Sequence, residues 1–258
     1  MGQCRLCLQA RPLCDSHLFP RGMYDTFRDL SDPKHVFLTP KRVIRTTQQI
    51  HAYLLCETCE ERFNSHGERW VLRNCLKASG EFALRDALRA AKPSNTFDTA
   101  RTYPGHTLGV DIDRLVYFAT SLLWRAAVHD WSAKYGVGKK LNLSTYEEQL
   151  RNFLLGLNEF PENGSMIVYV SDDDTPYAGA TSPIGVRTNE NYFQYSFHIP
   201  GAMFFLLLGR LVPTDIHQHL CAVRSPERVI FLTKDVGELF KRAALELRSR
   251  LPASELSK

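Results

Sequence analysis

Two cysteine pairs, Cys4-Arg5-Leu6-Cys7 and Cys56-Glu57-Thr58-Cys59, bracket a short histidine motif, Ser16-His17-Leu18-Phe19-Pro20. A Cys-x-x-Cys turn lets two thiolates point at one centre, and two such turns complete the tetrahedral sulfur shell that zinc prefers. A closed four-sulfur site leaves no open position, so the ion holds the fold and does no chemistry. The spacing predicts structural zinc on Cys4, Cys7, Cys56 and Cys59. The motif between them carries a candidate general base, His17, because an imidazole changes charge near neutral pH.

The remaining cysteines narrow the setting. The chain has seven in all, an odd number for a disulfide framework. Cys14, Cys75 and Cys221 are scattered, which fits a reducing compartment with three free thiols. Cys14 lies close to His17, but nothing beside it in sequence marks it as an activated nucleophile. The start, Met-Gly-Gln-Cys, lacks an apolar signal region, and Leu6 stands where a myristoylation motif would want Ser or Thr. The longest apolar run, Ala202 to Leu208, is too short to cross a bilayer. The expectation is a cytoplasmic protein with no membrane partner.

Composition permits several classes and excludes one. With 44% apolar residues the chain can bury a core and is not a disordered protein. Its formal net charge of +4 allows nucleic-acid binding without demanding it. From Met1 to Cys75 there are 11 Lys+Arg against 8 Asp+Glu, so most of the excess sits there. The most basic stretch carries Lys41, Arg42 and Arg45, candidates for phosphate contacts or for a solvated edge strand.

The elements that must position these residues are legible in outline. Residues 48–55 suit a strand running into the second cysteine turn, and 57–72 a helix with Phe63, Trp70 and Val71 inward. Glu60, Asn64 and Glu68 recur at i, i+4 spacing along it. Further helices are expected over 81–91, 113–135 and 144–157, the last with Ser144 as its cap and Glu147 completing a capping box. The stretch 93–109 reads as a connector. Strands are expected over 165–170, 192–199, 203–208 and 229–233, with Pro200-Gly201 as a turn, then a helix over 235–251. Asp172-Asp173-Asp174 reads as a solvated loop, Trp124, Trp131 and Phe118 as core, and His198, His217 and His219 as isolated histidines. Gly136-x-Gly138-Lys139-Lys140 lacks the full phosphate-loop pattern.

The order Cys-x-x-Cys, His-x-x-Pro, then Cys-x-x-Cys at the start of a helix resembles the HNH (ββα-metal) endonucleases of the zinc-supported kind. The likeness covers about the first 75 residues. It implies a phosphodiester hydrolase acting on DNA, with His17 as general base and a Mg²⁺ or Mn²⁺ ion, distinct from the zinc, at the scissile phosphate. Stand-alone members belong to phage, mobile-element or host-defence settings. The family has Asp immediately before its base histidine; here Ser16 stands there, with Asp15 one residue back. Glu60 replaces the family's usual residue after the second cysteine turn, and Asn64 lies one helical turn on. Glu60, Asn64 and Asp15 are thus the candidate ligands of the catalytic ion, with His66 and Glu68 behind them. No Asn occurs between Pro20 and Cys59 to orient the base. Gln48, Gln49 or His51 could do so, and Gln49 is taken as the candidate.

The expected fold class is α+β: a small zinc-supported ββα module of treble-clef-like form, followed by helices on an antiparallel sheet. The expected division is residues 1–76 for the module, 77–110 for a helix and connector, and 111–258 for an α+β domain that could bind a protein partner or a second copy. The alternative function is a non-catalytic zinc-binding module, contacting nucleic acid or protein, with a degenerate site.

Overall fold

The computed structural model describes residues 1–29, 32–39, 43–105, 109–132, 140–176, 179–188, 192–209, 228–234 and 236–238. It begins with a hairpin of two short strands, β1 (Gly2–Gln3) and β2 (Ala10–Arg11), whose turn carries Cys4 and Cys7. Next come β3 (Asp15–His17) and a single 3₁₀ turn at Arg21–Met23 that opens on Pro20. Strands β4 (Arg28–Asp29), β5 (Asp32–Leu38) and β6 (Val43–Thr46) form a meander, and β7 (His51–Tyr53) returns to pair with β3.

The helix expected over 57–72 runs from 57 to 74 but is not uniform. It is α1 (Glu57–Phe63), a widened π turn (Asn64–Glu68) and α2 (Arg69–Asn74). Phe63 and Val71 are buried on it as the periodicity requires, and Trp70 packs at the edge of the core. Then follow α3 (Ala83–Ala90), β8 (Asn95–Thr96), β9 (Ala100–Pro104), α4 (Ile112–Val128) and α5 (Tyr146–Leu155). The stretch read as a connector therefore contributes two paired strands. Asp111 caps α4 by accepting the Arg114 N–H at 3.1 Å. Ser144 does not cap α5: it sits at φ 50°, and no side chain caps that helix.

The last strands are β10 (Gly164–Ser171), β11 (Ala180–Thr181), β12 (Ile184–Arg187), β13 (Phe193–Ile199), β14 (Ala202–Leu208) and β15 (Val229–Thr233). Seven strands form one sheet in the order β12-β13-β14-β10-β15-β9-β8. The sheet is mixed, not antiparallel as the sequence suggested, because β15 lies parallel to β10. A long connection separates β14 from β15, so the chain is free to return in either direction; only a tight hairpin forces antiparallel pairing. The β13–β14 turn does come at Pro200-Gly201. Gly201 has φ 77°, and a Cβ there would sit 2.5 Å from the Phe82 ring, so both backbone and packing require glycine.

One hydrophobic core runs from the cysteine turns to the large sheet, joining Leu6, Phe63, Phe118, Trp124 and Phe204. Its centre is α4, buried on every side from Leu115 to Ala127. The first segment and the later sheet also meet through β11, which pairs with β5. Trp124, Trp131 and Phe118 are core residues. The acidic loop is solvated only in part: Asp174 is 87% exposed although Arg89 reaches it at 2.8 Å, whereas Asp172 is drawn in by Arg89 and Arg101, each at 2.6 Å. His217, His219, Cys221, residues 136–139 of the glycine-lysine stretch and nearly all of 235–251 lie outside the described residues.

Two features of this packing have measurable consequences. The π turn presents Gly67 to α4, where a Cβ would stand 2.9 Å from the Phe118 backbone N and Cα. Gly67→Ala should force the helices apart and cost about 1–3 kcal/mol in urea denaturation; an unchanged midpoint would contradict this contact. His198 is fully buried on β13, its Nδ1 3.2 Å from the Gly179 carbonyl oxygen, and burial lowers its pKa from 6.5 to about 4. The fold therefore holds the neutral ring. Its stabilisation is complete above pH 6.5 and lost as pH falls toward 4, a loss of about 3 kcal/mol. Denaturation at pH 7, 5 and 4 should show this loss in the wild type and a flatter profile in His198→Gln. Parallel profiles would exclude His198 as the source.

Candidate functional site

The cysteine cluster is built by local geometry. In the first turn the Leu8 N–H donates to the Cys4 carbonyl at 2.9 Å, and Leu8 takes φ 60° to close it. In the second, Cys56 is the N-cap of α1 and Cys59 lies in its first turn. Leu54 and Leu55 tie the two together, accepting the backbone N–H groups of Arg5 at 2.9 Å and Cys14 at 2.7 Å. All four sulfurs lie within 4.8 Å of one another, with Cys7 and Cys56 at 3.9 Å. A tetrahedral shell with Zn–S near 2.3 Å has edges of roughly 3.8 Å, so the donor set fits a metal ion of that kind. The Cys59 thiol, hydrogen-bonded to Cys4, pulls the Cys4 pKa down to about 4, while Cys59 itself is pushed up. The Cys56 N–H also donates to the Cys4 sulfur, at 3.3 Å.

The β3–β7 pair carries the polar face. Its register sets His17 opposite His51, Ser16 opposite Ala52 and Asp15 opposite Tyr53. Side chains alternate across a strand, so Asp15, His17, His51 and Tyr53 share one face. Ser16 points the other way and is fully buried, its Oγ accepting the Leu55 N–H at 3.1 Å. The position that carries Asp in the HNH pattern is here an interior one, and a carboxylate in that place would be buried without a counter-charge.

His17 is half-buried, with Nε2 2.8 Å from Gln49 Oε1. Tyr24 holds the backbone of the next residue: its hydroxyl accepts the Ile50 N–H at 2.9 Å and donates to the Ile50 carbonyl at 3.3 Å. The same tyrosine meets His17 edge-on at 6.0 Å. Burial holds the His17 pKa below its ordinary value, partly offset by Gln49 and Asp15. The ring is therefore neutral at neutral pH. His51 lies beside it, ring centroids 5.6 Å apart, with Nδ1 bonded to Asp15 Oδ1. His51 is the residue the sequence reading undervalued. It stands two residues from Gln49, and both face the His17 ring.

His17, Glu60 and Asn64 line one cleft of about 500 Å³, together with Arg21, Glu68 and Arg125. Asp15 is not in its lining and is engaged with His51. Asn64 donates its side-chain amide to Glu61 at 3.1 Å, and Glu60 Oε1 is buried with no hydrogen-bond partner. Arg45 is exposed on β6, while Lys41 and Arg42 lie outside the described residues. Arg125, supplied by α4, was not foreseen at all. A larger cavity of about 800 Å³ lies across the widened turn, lined by Ser65, His66, Tyr117 and Phe153. Charged groups on its wall pair with one another, Asp111 with Arg114 and Asp113 with Arg228, which makes it the poorer candidate.

Cys14 and Cys75 offer no nucleophile. Burial raises both thiol pKa values, that of Cys75 to about 12, and the Glu60 and Glu57 carboxylates raise Cys14 further. Among the described residues the four cysteines form the one group of three or more Cys, His, Asp or Glu close enough to share an ion. No helix among them is long and apolar enough to cross a membrane. No protein-family model, curated protein or solved structure matches this chain.

Proposed function

We propose that the chain is a metal-dependent HNH-like endonuclease that hydrolyses phosphodiester bonds in DNA, its cysteine cluster holding structural zinc. The observation that carries this reading is a neutral, half-buried His17, hydrogen-bonded to Gln49 and opening on the cleft that Glu60 and Asn64 share. With the Gln49 amide oxygen facing the ring, Nε2 carries the proton and Nδ1 keeps a lone pair. His17 Nδ1 takes a proton from water, the hydroxide oxygen attacks phosphorus, and the ester oxygen leaves. Gln49 keeps the ring in the productive tautomer and supports the imidazolium that forms. Glu60 is the fitting ligand for a hard divalent ion, because its buried Oε1 has no protein partner. Asn64 lies one turn further along the same wall. Such an ion, Mg²⁺ or Mn²⁺, supplies charge stabilisation at the phosphate and the leaving oxygen. The exposed Arg45 is a backbone-phosphate contact.

The buried Ser16 favours a second reading, a zinc-binding interaction module that has lost its ion site. Plasmid cleavage with added Mg²⁺ or Mn²⁺, wild type against His17→Ala, separates the two. The nuclease reading expects nicking by the wild type that the variant loses. Cleavage by neither protein, or equally by both, favours the second.

A further inference from the structure

Arginine is almost never fully buried unless paired, yet Arg125 sits at 1% exposure in the middle of the core helix α4. Its Nη2 meets Glu68 Oε1 at 2.5 Å and stands 3.9 Å from Glu60 Oε2. The guanidinium lies over the Phe63 ring at 4.7 Å, which limits its swing. Around this junction three buried polar atoms lack any protein partner: Glu60 Oε1, Arg125 Nε and Arg125 Nη1. Only Glu60 Oε1 among them is an acceptor that can ligate a cation; the two Arg125 atoms are donors of the guanidinium that stacks on Phe63. A bare buried polar atom costs about 1–3 kcal/mol, more when charged, so this carboxylate oxygen marks a place for a cationic or hydrogen-bond-donating occupant.

We infer that Arg125 is a positioning residue of the cleft: spanning Glu68 and Glu60, it holds Glu60 with one carboxylate oxygen free for a divalent cation. The inference rests on the ion site of the proposed nuclease and adds to it the part played by residues beyond 76. Three features converge on it. In an unbroken α-helix the residues at i, i+4 and i+8 drift steadily around the axis. The π turn at 64–68 widens that path, and Glu60 and Glu68 end on one cleft wall. Gly67 lets α4 approach closely enough for Arg125 to bond Glu68 and to bring its charge within 3.9 Å of Glu60. Glu68, at the shorter distance, takes most of the guanidinium's charge, which leaves Glu60 oriented but not consumed.

The test uses the zinc-loaded full chain titrated with Mn²⁺, free Mn²⁺ being followed by electron paramagnetic resonance. Glu60→Gln should abolish one Mn²⁺ site. Arg125→Lys keeps the charge and loses the planar fork, and should weaken that site by about tenfold, the range seen when a ligand's supporting partner is lost. The Arg125→Lys/Glu60→Gln double variant should bind no more weakly than Glu60→Gln alone. In cleavage, Arg125→Lys should lower kcat and leave the KM for DNA unchanged. Should Arg125→Lys fail to fold, Glu68→Gln serves, because the freed fork would close on Glu60 and weaken Mn²⁺ in the same way. A folded Arg125→Lys with wild-type Mn²⁺ affinity would overturn the positioning role and leave the nuclease reading standing. A wild type with no Mn²⁺ site sensitive to Glu60→Gln would overturn both the role and the ion site.

Discussion

Cys59→Ser is expected to unfold the first 75 residues at temperatures where the wild type is intact. The four sulfurs sit within 4.8 Å of one another, and Cys4, Cys56 and Cys59 belong to the same core as Leu6, Leu54 and Phe63. Without a cation such a group cannot carry four thiolates. Loss of one ligand removes the proposed zinc and leaves crowded thiols in its place. Losing a structural metal is among the few single changes that cost more than about 4–5 kcal/mol. Circular dichroism melting of wild type, Cys59→Ser and EDTA-treated protein should give one high and two low transitions. Measured zinc should fall from one equivalent to none. A variant that melts with the wild type would remove the cluster from the list of metal sites. His17 would feel the loss too, because Leu54 and Leu55, just ahead of Cys56, accept backbone hydrogen bonds from Arg5 and Cys14 and so lock β3 and β7 beside the cluster.

In the proposed nuclease, His17→Ala is expected to leave the fold standing and reduce the rate of DNA cleavage by about 10²- to 10⁴-fold, the usual contribution of a positioned general base. The side chain is only half-buried, and the strand beside it is held independently, Ile50 by Tyr24 and His51 by Asp15, so removal should move the melting temperature little. The pH profile carries the sharper test. A base must be neutral to act, so activity falls as pH drops through its pKa. Burial places that pKa below 6.5 in the free protein, and the acid limb of kcat/KM should therefore lie below pH 6.5. Asp15 opposes this shift; Asp15→Asn should move the limb to still lower pH. A limb above 6.5, or one untouched by Asp15→Asn, would point to another group.

Different parts of this molecule were legible to different degrees. The cysteine turns, the helix that begins at the second of them and the hairpin at Pro200-Gly201 all depend on neighbours in sequence, and their spacing carries the information. The site was legible only in pieces. His17, Glu60 and Asn64 could be named from type and spacing, but Gln49, Gln48 and His51 were indistinguishable until the β3–β7 register set His17 against His51 and brought Gln49 within 2.8 Å. Ser16 looked like a damaged ligand position. Burial shows it to be an interior hydrogen-bond donor and acceptor for the chain between the cysteine turns. Arg89 and Arg101 drew Asp172 of the acidic triplet inward, a change no local pattern records.

By itself the sequence determined what can be done with bonds between near neighbours: which thiols face a common centre, which histidine follows them, and where helices and hairpins begin. Only the tertiary structure decided which carboxylates share a cleft with that histidine and that an arginine 57 residues beyond Glu68 closes it. The reason is physical. Ligand spacing is set by a single turn of backbone, whereas burial, charge pairing and the freedom of one carboxylate oxygen are set by whatever the rest of the chain packs against it.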